Sequence, residues 1–276
     1  MLTSRAYLTA AAIALPLTAA SFAADAAPIA TFSAAGANSA AIQGQVDAFR
    51  TTLGALNANV AGSFGSGRRE INWDGVPPGF SSPNAFPPNF FNSNSPRGVE
   101  FSTLGAGFEV SATDFGTINP TYPGLFQTFS APRLFTAIGS TITDVNFFVA
   151  GSSTPALTRG FGSVFTDVDL ANVTSLSFYD ASDTLLDTLF VPSLAGSESL
   201  SFLGADYGSA IISRVRITAG NTPLSGNETL GDLVVMDDFI YGEPIGRASV
   251  PEPASMMVLA VGIIGLGMAS SRRRHT

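Results

Sequence analysis

Ser213-Arg214-Val215-Arg216-Ile217 sets two arginines against apolar neighbours in strict alternation. Successive side chains of an extended chain point to opposite faces, so Val215 and Ile217 share a buried face while Arg214 and Arg216 share a wet one, as a half-solvated antiparallel strand requires. From Pro96 onward the chain repeats this pattern in short runs, separated by turn residues at intervals of roughly ten residues. Strands are expected near Val99 to Phe101, Gly107 to Ser111, Leu134 to Ile138, Thr141 to Val149, Ser163 to Asp167, Ser175 to Tyr179, Thr184 to Val191, Leu200 to Leu203, Ile211 to Ala219 and Val234 to Tyr241. The spacing predicts an all-β fold, a two-sheet antiparallel sandwich of jelly-roll type. No repeat of about 20 to 50 residues is visible, which disfavours solenoids and propellers.

Upstream of the strands, residues 62–95 are crowded with Gly, Pro, Asn and Ser, including Pro77-Pro78 and Pro87-Pro88, so neither regular helix nor central strand is expected there. Trp73, Phe80, Phe86, Phe90 and Phe91 nevertheless argue for an ordered loop, because a flexible linker has little reason to carry that much apolar area. Before it, Ile42, Val46, Phe49 and Leu53 recur at the spacing of one helical face, and Gly54 follows where a C-terminal glycine ends a helix. Residues 27–61 therefore read as a short N-terminal helical segment and 62–248 as the sandwich.

Both ends read as processing segments. Arg5, the apolar run Leu8 to Leu17 and the small residues of Ala24-Asp25-Ala26 form a secretory signal peptide over residues 1–26, with cleavage expected near Ala27. At the other end stand Val250-Pro251-Glu252-Pro253, an apolar stretch from Ala254 to Ala269, and Arg272-Arg273-Arg274. Those 16 apolar residues make a helix of about 24 Å against a hydrocarbon core of about 30 Å, marginal for a transmembrane helix. The three arginines would stay cytoplasmic under the positive-inside rule, placing the body outside, in agreement with the N-terminal signal.

This order resembles the PEP-CTERM sorting signal of Gram-negative bacteria, over residues 250–274. The resemblance implies that an exosortase, a membrane-embedded cysteine peptidase, recognises Pro251, Glu252 and Pro253, cuts nearby, and frees a domain held only transiently in the inner membrane. It further implies a place at the cell surface or in an exopolysaccharide matrix. The body resembles other PEP-CTERM proteins through Arg69-Glu70-Ile71-Asn72-Trp73-Asp74-Gly75-Val76-Pro77, Asn94-Ser95-Pro96-Arg97-Gly98-Val99 and Val235-Met236-Asp237-Asp238-Phe239, a likeness that supplies no activity.

Composition narrows the chemistry. Without its two ends the chain holds 9 arginines, no lysine and 19 acidic residues, a formal charge of −10. Such a surface repels phosphate backbones, so nucleic acid is not an expected partner, while divalent cations are. There is no Cys, and the one His is His275 in the tail, so the processed body has neither thiol nor imidazole and lacks the means for Ser-His triads or typical zinc sites. Glycoside hydrolysis needs only two carboxylates, but with so many acids their presence carries no signal, and no enzymatic activity is expected.

Calcium is the cofactor the composition allows, as a structural staple. Asp237 and Asp238 are the first candidates: alternation sends one carboxylate inward, where it needs a cation or hydrogen bonds. Asp167 with Asp169, and Glu70 with Asp74, are the others. Sugar binding would need an exposed aromatic platform, and Trp73, flanked by Asn72 and Asp74, is the one candidate among 22 Phe, 5 Tyr and 1 Trp. The expected function is an exported, non-enzymatic surface or matrix protein; the alternative is a carbohydrate-binding module stabilised by calcium.

Overall fold

The structure, a computed structural model, describes residues 27–225 and 231–247. The signal peptide and the segment 250–274, with Pro251, Glu252, Pro253 and Arg272 to Arg274, lie outside the described residues. Strands run at Ala30–Gly36 (β1), Arg68–Ile71 (β2), Val99–Ser102 (β3), Gly107–Ser111 (β4), Leu134–Ile138 (β5), Ile142–Phe147 (β6), Ala156–Leu157 (β7), Gly160–Thr166 (β8), Ser175–Tyr179 (β9), Leu185–Phe190 (β10), Leu200–Asp206 (β11), Arg214–Thr218 (β12), Val235–Gly242 (β13) and Ile245–Gly246 (β14). The helices are Ser39–Leu53 (α1) and Phe90–Ser93 (α2). Among the described residues no helix is long and apolar enough to cross a membrane.

One sheet has the order β1-β11-β8-β13-β5-β4, with β2 also on β13; the other has the order β10-β9-β12-β6-β3; β14 and β7 form a small ribbon. The strand ladders are antiparallel. Val215 and Ile217 of β12 are fully buried between the sheets while Arg214 and Arg216 face outward, as their alternation predicts. The inter-sheet core is aromatic and β-branched, joining Phe135, Phe161, Phe165 and Phe239 of the larger sheet to Phe101, Val145, Phe147 and Phe178 of the smaller.

The larger sheet has a second buried face. Helix α1 starts at Asn38, whose side chain accepts from the Ala41 N–H at 3.2 Å, and stops at Gly54, whose φ of 98° a side chain would resist. Its face of Ile42, Val46, Phe49 and Leu53 packs on Val164, Leu200, Phe202 and Ile240. The contact is close because Gly162 and Gly204 stand opposite each other in β8 and β11 and leave a flat seat for the Phe49 ring. A methyl group on Gly162 would lie 2.8 Å from Phe49 Cε1, and one on Gly204 3.0 Å from Cγ. Beside the helix, Phe115, Tyr122, Phe126 and Leu134 form a further apolar cluster with Leu224, Leu233 and Val235. This cover explains why β8, β11 and β13 are buried along their whole length instead of alternating.

Two expectations need correction. The Ala-rich stretch after residue 27 contributes a strand as well as the helix: β1 pairs with β11 and so joins the sheet. Its small residues have weak strand propensity, and tertiary pairing overrides it. In the Gly- and Pro-rich stretch, Arg68–Ile71 forms β2 on β13, hidden in the sequence by its length and by three consecutive charged residues.

The glycines give a direct test of this packing. Gly162→Val is expected to cost about 1–3 kcal/mol through overpacking against Phe49. Gly44→Ala, on the exposed face of α1 with open space around it, is expected to stabilise by about 0.5–1 kcal/mol. Urea denaturation of the two variants checks both signs.

Candidate functional site

The three body segments singled out in the sequence converge on β13. Its register against β8 shifts between Met236 and Phe239, so Asp237 and Asp238 together occupy the space opposite one residue, a β-bulge. The bulge falls where β13 changes partner on its other side, from Phe135 of β5 at Met236 to Ile71 of β2 at Phe239. The expectation that one carboxylate points in and the other out is therefore wrong. Both are buried, and both reach Ser130, whose Oγ lies 2.7 Å from Asp238 Oδ1 and 3.3 Å from Asp237 Oδ1.

Asp237 Oδ2 accepts from the backbone N–H groups of Phe129 at 2.6 Å and Ser130 at 3.1 Å. Asp238 Oδ2 accepts from Arg50 Nη2 at 3.1 Å, and the same guanidinium holds Glu70 through Nε at 3.1 Å and Nη2 at 3.0 Å. Arg68 Nε completes the group with a 2.7 Å bond to Glu70. Burial, and then the charge of Asp238, push the Asp237 carboxyl well above the usual carboxylate range; burial also raises Asp238. The compensation that the sequence argument assigned to calcium at Asp237 and Asp238 is thus supplied by Arg50, Ser130 and two backbone N–H groups. Nor do Glu70 and Asp74 share a site: Glu70 faces Arg50 and Arg68, whereas Asp74 accepts from the Arg133 N–H at 3.2 Å and Asn72 Nδ2 at 3.1 Å. Above this cluster lies a polar cleft of about 420 Å³ whose walls include Gln43, Asn59, Asn72, Arg97 and Phe129.

Trp73 is not a surface platform. It is 1% exposed, stacks on Phe135 at 4.0 Å between ring centroids, and meets Phe239, Phe91, Phe101 and Phe86 at 5.1 to 5.9 Å. Its indole N–H donates to the Asp237 carbonyl at 2.9 Å, taking up the backbone group beside the bulge. The residue pays for this position with a left-handed φ of 64°, sustained by the rings that enclose it. Neither face is available to a sugar ring, which overturns the sugar-stacking expectation. Polar neighbours Asn72 and Asp74 suggested exposure; the turn they make directs the indole inward.

Sequence reading missed a fully buried ion pair. Arg69 in β2 donates to Glu243 through Nε at 2.8 Å and Nη2 at 2.9 Å, and its remaining donors reach the carbonyls of Ala58, Val60, Gly62 and Pro96. No periodicity announces such a pair, because each partner looks like an ordinary strand-end charge.

A second acidic group lies where the chain leaves β8. Asp167, at a left-handed φ of 67°, is 5% exposed, and its Oδ1 is buried with no hydrogen-bond partner. Asp232, 1% exposed, accepts from the N–H groups of Asp169 at 2.9 Å and Leu170 at 3.4 Å, while Asp169 Oδ1 accepts from the Gly196 N–H at 2.7 Å. Burial, then the charges of Asp169 and Asp232, push the Asp167 carboxyl up to about 7. Among the described residues no three such side chains meet around one point as a formed metal cage.

Residues 249–274 match the PEP-CTERM protein-sorting motif, so the chain carries the signal of an exported protein processed by an exosortase. Neither a curated protein nor a solved structure matches the chain.

Two predictions follow from this geometry. The single Trp is expected to emit as a buried indole, to resist aqueous quenchers, and to shift to the exposed spectrum only with global unfolding; Trp73→Ala is expected to cost about 3–5 kcal/mol, read by chemical denaturation followed by circular dichroism. The second concerns pH. A carboxyl held at about 7 when folded and near 3.9 when unfolded leaves the native state with the extra proton between those values. Its contribution to stability is therefore lost as pH rises through that window. In buffer free of divalent cations, wild type should lose several degrees of Tm between pH 5 and pH 8 relative to Asp167→Asn, and the variant should be the more stable at pH 8.

Proposed function

We propose that this chain is an exported, non-enzymatic surface or matrix domain of jelly-roll form, delivered by the signal peptide and released by exosortase cleavage near Pro251-Glu252-Pro253. The observation that carries the reading is where the fold is tied off. Among the described residues, the first backbone hydrogen bond is donated by Ile29 to Asp206 at 2.8 Å, and the last by Arg247 to Pro155 at 3.2 Å. These points stand just inside the two processing segments, so removing both ends takes away none of the described strands.

The jelly-roll reading is supported by eight strands, β5, β6, β8, β9, β10, β11, β12 and β13. They divide as β5-β13-β8-β11 in one sheet and β6-β12-β9-β10 in the other, two interlocked Greek keys. The non-enzymatic reading is supported by how the buried charges are engaged. Glu70 and Asp238, the acids nearest the polar cleft, are both bound to Arg50 and neither stands free as a nucleophile or base.

The test is intact-mass analysis of the protein from cells with and without an exosortase. With the enzyme, the product should end close to residues 251–253; without it, or with Pro251→Ala, Glu252→Ala and Pro253→Ala combined, the tail should remain. Retention of residues 254–276 on the wild-type product in exosortase-containing cells would overturn the proposal.

A further inference from the structure

The two processing segments adjoin the same end of the body. In the larger sheet Ala30 of β1 pairs with Asp206 of β11, Asp206 with Gly160 of β8, and Gly242 of β13 with Arg68 of β2. The start of β1 and the finish of β13 therefore lie together, beside the end of α1 at Leu53, which packs close to Gly160. The loops that close this end meet around a cleft of about 480 Å³ walled by residues 65–67, residues 208–210, Glu243 and Ile245.

Five of the ten exposed large apolar side chains among the described residues stand on these segments: Ile29, Leu56, Val60, Phe64 and Ile245. Single exposed apolar residues need no explanation, but a group around one rim does. Their backbones are tied to that rim. The Phe64 N–H donates to Glu243 Oε1 at 3.3 Å, the Val60 carbonyl accepts from Arg69 Nη1 at 3.2 Å, and the Ile29 N–H donates to the Asp206 carbonyl at 2.8 Å. Charge is distributed unevenly as well. At this end Glu243 is paired with Arg69, Asp206 with Arg159 and Asp183 with Arg214, leaving Asp180 without a guanidinium. At the opposite end Asp114, Asp167, Asp169, Glu198 and Asp232 enter no ion pair among the described residues. Leu170 and Leu194 are exposed there too, but among these acids, where phosphate headgroups are repelled.

The segment that follows decides what this end faces. From Arg247 to Ala254, where the apolar tail begins, there are seven Cα-to-Cα steps, which extend at most about 25 Å. We propose that Ile29, Leu56, Val60, Phe64 and Ile245 form a lipid-facing rim that rests on the phospholipid surface holding the tail, so that the sandwich stands on this end until the tail is cut. The rim acts only while residues 254–269 are held in the bilayer, as the proposed function has them; the tail tethers the body and the rim orients it. Little affinity is needed, because a short tether supplies an effective concentration on the order of millimolar. Apolar side chains seated among the headgroups, with the unpaired acids pointing away, are the arrangement an interfacial contact requires.

The chain has no cysteine, so one introduced cysteine carries one fluorescent label. The full chain, from cells lacking an exosortase, is reconstituted into vesicles of phosphatidylethanolamine and phosphatidylglycerol and exposed to nitroxide-bearing lipid as quencher. An environment-sensitive label is placed at Ser63→Cys on the rim, at Ala195→Cys at the opposite end, or at Val258→Cys in the tail. Expected are blue-shifted, strongly quenched emission at 63 and 258 and neither at 195. Adding Ile29→Asp and Val60→Asp, both at exposed side chains, should abolish the response at 63 and leave that at 258. A quenched tail with an unquenched rim would overturn the docking alone; an unquenched label at 258 would overturn the tail reading and the docking with it. Equal quenching at 63 and 195, or quenching at 63 that survives both aspartates, would overturn the docking by leaving a tethered body with no preferred face. A blue shift at 63 without quenching, seen only at high protein-to-lipid ratio, would overturn it by placing a second copy on the rim.

Discussion

A central strand that must serve two partners on one side is the constraint around which this domain is organised. β13 runs along β5 at its start and β2 at its end, and no straight ladder satisfies both. The bulge at Asp237 and Asp238 absorbs the mismatch, but it puts two carboxylates and a displaced carbonyl in the interior. Each is answered from a different part of the chain: the carbonyl by the Trp73 indole, one carboxylate by the backbone of Phe129 and Ser130, the other by Arg50 from α1. The helix, the aromatic loop and the segment before β5 are thereby fastened to one strand.

The same logic recurs at β2. Arg69 and Glu243 form an ion pair with no solvent contact, and the spare guanidinium donors hold the carbonyls of a loop with no regular structure of its own. Such a pair adds little net stability over an apolar replacement, yet it is expensive to break, because either partner alone would be a stranded charge. Its effect is to select one path for residues 58–62 and 96, where Gly and Asn leave the backbone many alternatives.

The antiparallel β character was legible from alternation because strands such as Arg214 to Thr218 and Ile142 to Phe147 bury every second residue and leave those between partly accessible. The helix was legible from its apolar spacing and its glycine stop. What could not be read was whatever depends on partners distant in sequence. β1 and β2 are strands only because β11 and β13 lie beside them, and the bulge that reverses the facing of Asp238 is set by where β5 gives way to β2. Trp73 looked like a platform since sequence gives polarity of neighbours without the direction of a turn. The acids at Asp167 and Asp169 were visible; Asp232, some sixty residues onward, and the lack of any arginine facing Asp167 were not.

The clamp at Arg247 also fixes a distance. Its N–H is held by Pro155 and its guanidinium reaches the Ala181 carbonyl at 3.1 Å, so the chain leaves the body at one defined corner. Only residues 248–250 separate that corner from Pro251, and the four Cα-to-Cα steps from Arg247 to Pro251 can extend at most about 14 Å. A peptidase that grips Pro251 must therefore work within about 1.5 nm of a folded wall built from the loops around Pro155 and Ala181, and the shape of that corner becomes part of what the enzyme has to accommodate.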